Sequence, residues 1–179
     1  AAPRWRAIWR AVSPPRAAFR YIAAAVSLRA HGPSAVGVID CHPLYPFTLS
    51  LAERAYSSIT GAEGAMVWYL AGQWWSLLCY LLFLTGAYAA GVQLWNRRVA
   101  VLGCAALALV PRQIYYSVDL LSDNLHAAFW MASFACMIRA WRRQDHDKSK
   151  VTRHPTIFAL AAGVFAGLAF WTRMEAILL

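Results

Sequence analysis

The sequence predicts an all-α, polytopic membrane protein with about four transmembrane helices and two interfacial helices before the first of them. Hydrophobic residues make up 60% of the 179 residues, charged residues 14%, and the mean hydropathy is +0.44. A soluble domain would carry about 25% charged residues. Residues 64–96 contain no charged side chain. This run is longer than the roughly 20 apolar residues that are needed to cross a bilayer core. Composition and pattern therefore both favour a membrane protein.

Two amphipathic segments precede the first predicted span. Residues 17–30 are good helix formers, and a cluster of turn-forming residues at 31–34 is expected to end that helix. In the second segment the apolar residues recur at helical spacing: Leu44, Phe47, Leu51, Ala55 and Ile59. Both segments are too polar to span and amphipathic enough to lie at the membrane surface. Residues 1–63 are therefore predicted to form a juxtamembrane segment on the outer face.

Four apolar segments predict a transmembrane bundle over residues 64–179. They cover residues 64–96, 99–118, 120–141 and 155–172. The second is interrupted by Pro111 and Arg112. Because the chain begins without Met and stops within an apolar run, we expect a fragment of a larger multi-span protein, incomplete at both ends.

The basic residues orient the predicted bundle. Arg97 and Arg98 follow the first span, and six further basic residues lie at 139–153, between the third and fourth. The positive-inside rule places both groups in the cytoplasm, so the residues near 112–123 and 173–175 face outside. We expect an integral protein of the bacterial inner membrane. Most of the basic charge flanks spans, which argues against nucleic acid as a partner and favours membrane lipids.

Acidic residues between the second and third spans form the strongest candidate for chemistry. Asp119 and Asp123 are four positions apart and would share one face of a helix. Carboxylates at the edge of hydrocarbon are costly unless they are paired, hydrated or bound to a ligand. They could bind a cation, orient a hydroxyl-rich substrate or accept a proton. The alternative is that both simply cap and hydrate the start of a helix.

Other polar residues are predicted on the same face. Asp40 and His42 belong to a polar, proline-stiffened patch at residues 40–46. Arg173 could hold a phosphate, or it could extend to the membrane surface and pair with Glu175; Arg112 is a similar candidate. The cysteine spacing indicates neither a zinc site nor a disulfide framework. No cofactor is required, and a divalent cation is left open.

Three short motifs carry a family resemblance. They are His-Pro-Leu-Tyr-Pro at residues 42–46, Leu-Leu-Ser-Asp-Asn-Leu at 120–125, and Gly-Leu-Ala-Phe-Trp-Thr-Arg-Met-Glu at 167–175. In this order, over about residues 17–179, the chain resembles the N-terminal half of multi-span glycosyltransferases of the GT-C type that use polyprenyl-phosphate sugars. That group includes protein O-mannosyltransferases and the aminoarabinose transferase of lipid A.

The resemblance implies a membrane glycosyltransferase that moves a sugar from a lipid-linked phosphate donor to an acceptor on the outer face. It implies that acidic residues organise donor and acceptor and that basic residues hold the phosphate. The expected catalytic residues are Asp123, Asp119 and Asp40. The expected substrate-binding residues are His42, Tyr45, Tyr116, Arg112, Arg173 and Glu175.

Two alternatives to the enzyme stay open, and the first of them rests on a departure from the family. The family usually places an aspartate three or four residues before an early tyrosine, but Ala17 and Ala18 precede Tyr21 here. A non-catalytic membrane scaffold is therefore one alternative. A transporter or channel fragment is the other, although it predicts ionisable residues near the middle of spans, whereas these charges lie at span ends. The sequence identifies neither the sugar nor the acceptor.

Overall fold

A computed structural model describes residues 16–32, 42–111, 122–146 and 154–172. These residues form six helices and no strand, so the all-α prediction is confirmed for this part of the chain. In chain order the helices are α1 Arg16–His31, α2 Leu44–Thr60, α3 Ala65–Leu94, α4 Arg97–Ala108, α5 Ser122–His146 and α6 His154–Thr172.

The bounds of α1 and α2 follow local sequence signals. Gly32 comes directly after α1 with φ 64°, a conformation that glycine adopts without a steric penalty. Pro43 precedes α2, where its missing N–H leaves no helical hydrogen bond unmade. Gly61 ends α2 in the left-handed conformation, and its N–H bonds the Ser57 carbonyl. Both segments predicted to lie at the membrane surface are therefore helical.

Two contacts show that α1 and α2 run side by side in the same direction. Near the start of each helix, the rings of Tyr21 and Tyr45 meet edge to face, with centroids 4.8 Å apart. Eight residues further along each helix, Arg29 forms an ion pair with Glu53. Because eight helical residues span about 12 Å, the two contacts set both the register and the direction of the pair.

The exposed face of α2 is apolar, and its buried face carries a charge. Tyr45, Leu49 and Glu53 are buried at four-residue spacing, and Glu53 accepts hydrogen bonds from Arg29 and Ser57. The apolar face predicted from the helical spacing includes Phe47 and Leu51, which are about half exposed on the outside of the protein. A soluble helix buries its apolar face, so this arrangement favours a helix lying against a membrane.

Helix α3 matches the first predicted span. Its 30 residues measure about 45 Å, which exceeds the roughly 30 Å hydrocarbon core of a bilayer. Among the described helices, it is the one that is both long and apolar enough to cross a membrane. Large apolar side chains are exposed at helical spacing in the middle of α3: Trp74, Leu78, Leu81 and Leu82. This face suits contact with lipid.

The prediction of four spans is not confirmed. Helix α4 has 12 residues and a length of about 18 Å, too short to cross alone, and residues 112–121 lie outside the described part. Helix α5 has 25 residues, but polar residues at both of its ends lower its hydropathy. The apolar part of α6 is Thr156–Thr172, which is shorter than α3. The described residues therefore support one span by length and composition.

Close helix packing builds the bundle around α3. Helix α5 packs against both α3 and α6, while α4 packs against α3. A Cβ atom at Gly86 would lie 3.0 Å from the Met131 Cβ and 3.2 Å from its backbone carbon, so α3 and α5 approach closely there. At Gly91 a Cβ would lie 3.0 Å from the Cβ of Ala100 on α4. Small residues permit such close approach in membrane bundles.

We expect Gly86→Ala to destabilise the protein by about 1–2 kcal/mol, because the added methyl meets α5 backbone that cannot move freely. Gly103→Ala is the matched control, since no described atom lies within 4 Å of the Cβ built there. That change should be neutral or stabilising by up to about 1 kcal/mol, because alanine favours helix. Thermal unfolding midpoints in detergent would test both. Equal shifts for the two variants would contradict the close α3–α5 contact.

Candidate functional site

The first turn of α5 is a polar segment that is largely buried. Ser122 and Asn124 are 6% and 5% exposed, although both are polar, and Asp123 between them is half-buried. Asp123 also lies in the first helical turn, where the partial positive charge of the helix N-terminus favours a carboxylate. Buried polar groups need hydrogen-bond partners, so the neighbouring helices determine how this turn is held.

A tyrosine from α1 holds the turn from one side. The Tyr21 hydroxyl lies 2.9 Å from Ser122 Oγ, a hydrogen bond between residues 101 positions apart. The Tyr21 ring is itself fixed by its contact with Tyr45. We call Tyr21, Tyr45 and Ser122 the tyrosine junction. It joins α1, α2 and α5 at one point, directly beside Asp123.

Tyr45 forms the inner part of the tyrosine junction. Its side chain is fully buried with Cys79 of α3 and Leu125 of α5, and its hydroxyl lies 3.4 Å from Ser76 Oγ. The sequence predicts Tyr45 as a substrate-binding residue. The structure gives it a packing position instead of an exposed one, and its direct contact with a substrate stays a prediction.

Trp75 adds an unusual feature next to this cluster. It packs against the buried group around Tyr45, and its buried Nε1–H has no hydrogen-bond partner in the described residues. An unpaired buried donor costs about 1–3 kcal/mol. Native proteins contain few such groups, so Trp75 is an exception among the buried polar side chains of the described residues. Sequence patterns alone identify Trp75 only as an aromatic residue within a span.

Helix α6 holds the same turn of α5 from the other side. His126 Nδ1 lies 2.9 Å from the Ala169 carbonyl oxygen and 3.1 Å from Thr172 Oγ1. A carbonyl can only accept, so Nδ1 carries the proton in this arrangement. The Thr172 hydroxyl, which is 1% exposed, donates to the Ala169 carbonyl at 2.6 Å. The end of α6 is therefore tied to α5 one turn after Asp123.

The structure places three of the sequence-predicted site residues. Asp123 lies at the convergence just described, Tyr45 is buried beside it, and His42 is half-buried just before α2. The other six lie outside the described residues: Asp40, Arg112, Tyr116, Asp119, Arg173 and Glu175. In the described ranges, no group of three His, Cys, Asp or Glu side chains is placed to hold a metal ion.

We expect Tyr21→Phe to loosen the first turn of α5. The change removes the hydroxyl bonded to the buried Ser122 Oγ and should cost about 1 kcal/mol. Amide hydrogen exchange at residues 122–126 should become faster. Tyr88→Phe is the control, since the described residues give the Tyr88 hydroxyl no hydrogen bond. Unchanged exchange in Tyr21→Phe would show that the tyrosine junction does not hold the turn.

Comparison with known proteins gives one match. The sequence model of the family described as dolichyl-phosphate-mannose-protein mannosyltransferase matches residues 46–179. No curated protein and no solved structure matches the chain at a significant level. The matched region includes α3 to α6, most of α2, and the fixed turn that carries Asp123. It covers well over half of the chain, and the resemblance seen in the sequence motifs is confirmed: the chain belongs to the dolichyl-phosphate-mannose-protein mannosyltransferase family.

Proposed function

We propose that this protein transfers a sugar from a polyprenyl-phosphate carrier to an acceptor on the outer face of the membrane, with Asp123 at the reacting centre. Family membership makes the chain part of a membrane glycosyltransferase that uses a lipid-linked sugar. One observation carries the finer proposal. The turn that holds Asp123 is fixed by hydrogen bonds or packing from α1, α2, α3 and α6. A catalytic carboxylate needs such fixed geometry.

The proposed step is a displacement at the anomeric carbon. Asp123 accepts the proton of the acceptor nucleophile as the acceptor attacks that carbon. The bond between the anomeric carbon and the phosphate oxygen breaks, and polyprenyl phosphate leaves with the electron pair. Arg173 is proposed to stabilise the negative charge on that phosphate, since a guanidinium is a fixed cation with a planar fork of donors. Helix α6 ends one residue before it.

The remaining predicted residues have supporting roles in this proposal. Asp119 and Asp40 are proposed to orient the acceptor and the donor sugar. The substrate-binding residues would be His42, Tyr116, Arg112 and Glu175. Tyr45 would instead be a positioning residue, because its buried ring supports Tyr21 and the first turn of α5.

We also propose that the four predicted spans exist in the bilayer, with the start of α5 and the end of α6 on the outer side. Two observations support this topology. Helix α6 exposes large apolar side chains along its length, namely Ile157, Leu160, Val164 and Trp171. The hydrogen bonds of His126 place the end of α6 beside the start of α5, as expected for neighbouring spans that run in opposite directions. Localisation to a bacterial inner membrane remains part of this proposal.

A specific observation favours a second function, that of a non-catalytic membrane scaffold. Ala18 is fully buried in an apolar cluster with Ile22, Leu49 and Trp68. The resemblance implies an aspartate at this position or the one before it. A carboxylate would be unfavourable in such a cluster. If the aspartate that the family resemblance implies is indispensable for transfer, a protein with alanine there would keep the fold but could not transfer a sugar.

A transfer assay separates these two functions. Membranes containing the protein would be given polyprenyl-phosphate mannose and, separately, polyprenyl-phosphate aminoarabinose, each labelled in the sugar. Release of polyprenyl phosphate together with a labelled acceptor, above the level of membranes lacking the protein, supports the enzyme. Absence of transfer from both donors by a correctly inserted protein would support the scaffold.

A further inference from the structure

A groove of about 620 Å³ lies between α1, α2 and the end of α6. Its lining is mainly apolar and includes Leu28, Leu44, Phe47, Leu51 and Trp171. The groove is open along one side, and Trp171 is 61% exposed at its edge. Tryptophan is enriched where a membrane meets water, so this position suits a site at the bilayer surface.

The charged side chains that line the groove are both arginines. Arg29 and Arg54 contribute to it, and no carboxylate lines it among the described residues. Arg29 already pairs with Glu53, which lies on the buried face of α2. Arg54 is exposed and has no ion-pair partner in the described ranges. Within the described part of the chain, the groove therefore offers one guanidinium without a carboxylate partner beside an apolar surface.

The helical spacing puts this cation and the apolar side chains on one face. Phe47, Leu51 and Arg54 follow each other at intervals of four and three residues, so they form a single stripe along α2. Phe47 and Leu51 are 52% and 47% exposed. A ligand complementary to this stripe has a hydrocarbon chain and an anionic group at one end.

We propose that the groove binds an anionic phospholipid of the surrounding bilayer, with the headgroup phosphate on Arg54 and an acyl chain along Phe47 and Leu51. A guanidinium forms paired hydrogen bonds with phosphate oxygens. Arg54 lies nine residues, about 14 Å, along α2 from Tyr45, whose ring contacts Tyr21 beside the turn of Asp123. This separation favours a structural lipid over the sugar donor. The proposal rests on membrane association and is independent of sugar transfer.

Lipid binding to the purified full chain in neutral detergent tests the proposal. Dissociation constants would be measured for phosphatidylglycerol and phosphatidylcholine by native mass spectrometry. Arg54→Gln should weaken phosphatidylglycerol binding about tenfold, the effect of losing one charge-assisted hydrogen bond. Arg98→Gln is the matched control, since Arg98 is an exposed arginine on α4 that does not line the groove, and it should leave binding unchanged.

A second variant and a second lipid make the result decisive. Leu51→Glu places a carboxylate in the groove at an exposed position, and it should also weaken phosphatidylglycerol binding while the helix content stays unchanged. Binding of polyprenyl phosphate should be the same in wild type and Arg54→Gln. Loss of polyprenyl phosphate binding in Arg54→Gln would assign the groove to the donor and overturn the proposal. Phosphatidylglycerol binding that neither variant weakens would overturn it as well.

Discussion

Replacing Asp123 with asparagine is expected to lower the rate of sugar transfer by about 10²–10⁴-fold, the range attributed to a positioned general base. Asparagine has nearly the same shape and still accepts hydrogen bonds through its side-chain oxygen. It cannot take a proton from the acceptor at neutral pH. The half-buried position in the first turn of α5 also means that the helix itself should tolerate the change.

The matched control for this prediction is Glu63→Gln. Glu63 is an exposed carboxylate in the short connection between α2 and α3, and it lies apart from the tyrosine junction. Membrane insertion, helix content and thermal midpoint should be the same for both variants and the wild type. Transfer from a polyprenyl-phosphate sugar should be lost in Asp123→Asn alone. Wild-type transfer by Asp123→Asn would remove Asp123 from the reacting centre.

The ends of several helices could be predicted because single charged residues or glycines mark them. The uncharged run ends at Glu63 and Arg97, and α3 occupies Ala65–Leu94 between them. Glycines at positions 32 and 61 ended the two preceding helices as their backbone freedom suggests. Local chemistry acts over a few residues, so a sequence reveals it directly.

Contacts between distant helices could not be predicted in the same way. The bond from Tyr21 to Ser122 joins residues 101 positions apart, and nothing near either residue specifies the other. Glu53 is buried and paired with Arg29 on α1, and nothing near Glu53 in the sequence specifies that partner. Helical periodicity shows which side chains share a face, but not which surface that face meets.

The candidate site contains one feature that the local sequence predicts and others that depend on contacts between distant helices. Asp123 was predicted from its position at the start of a helix beside hydrocarbon, and the structure adds that its neighbours Ser122 and Asn124 are buried. The link from His126 to the end of α6 depends on a carbonyl and a hydroxyl more than 40 positions away. A motif can thus point to a reactive group, while the supports of that group become visible only in three dimensions.

Those supports lead to the second large effect that we expect: His126→Leu should reduce transfer about tenfold or more and lower stability by about 1–3 kcal/mol. The change removes the N–H that donates to the Ala169 carbonyl and lies beside the Thr172 hydroxyl. Both of these groups are on buried residues at the end of α6, and each then loses a hydrogen bond. The change also removes the hydrogen bonds that join the end of α6 to α5 one turn after Asp123. Misplacing a reacting group by about 1 Å costs on the order of 10²-fold in rate.

His126→Asn distinguishes a positioning role from simple packing. The asparagine amide can donate a hydrogen bond as Nδ1–H does, so this variant should recover a large part of the activity that leucine loses. The loss in His126→Leu should appear mainly in kcat, because the residue acts on the alignment of Asp123 instead of on substrate affinity. Asp123→Asn combined with His126→Leu should be little slower than Asp123→Asn alone, since misalignment of a base already removed has no further effect. Additive losses in the double variant would mean that His126 acts independently of Asp123.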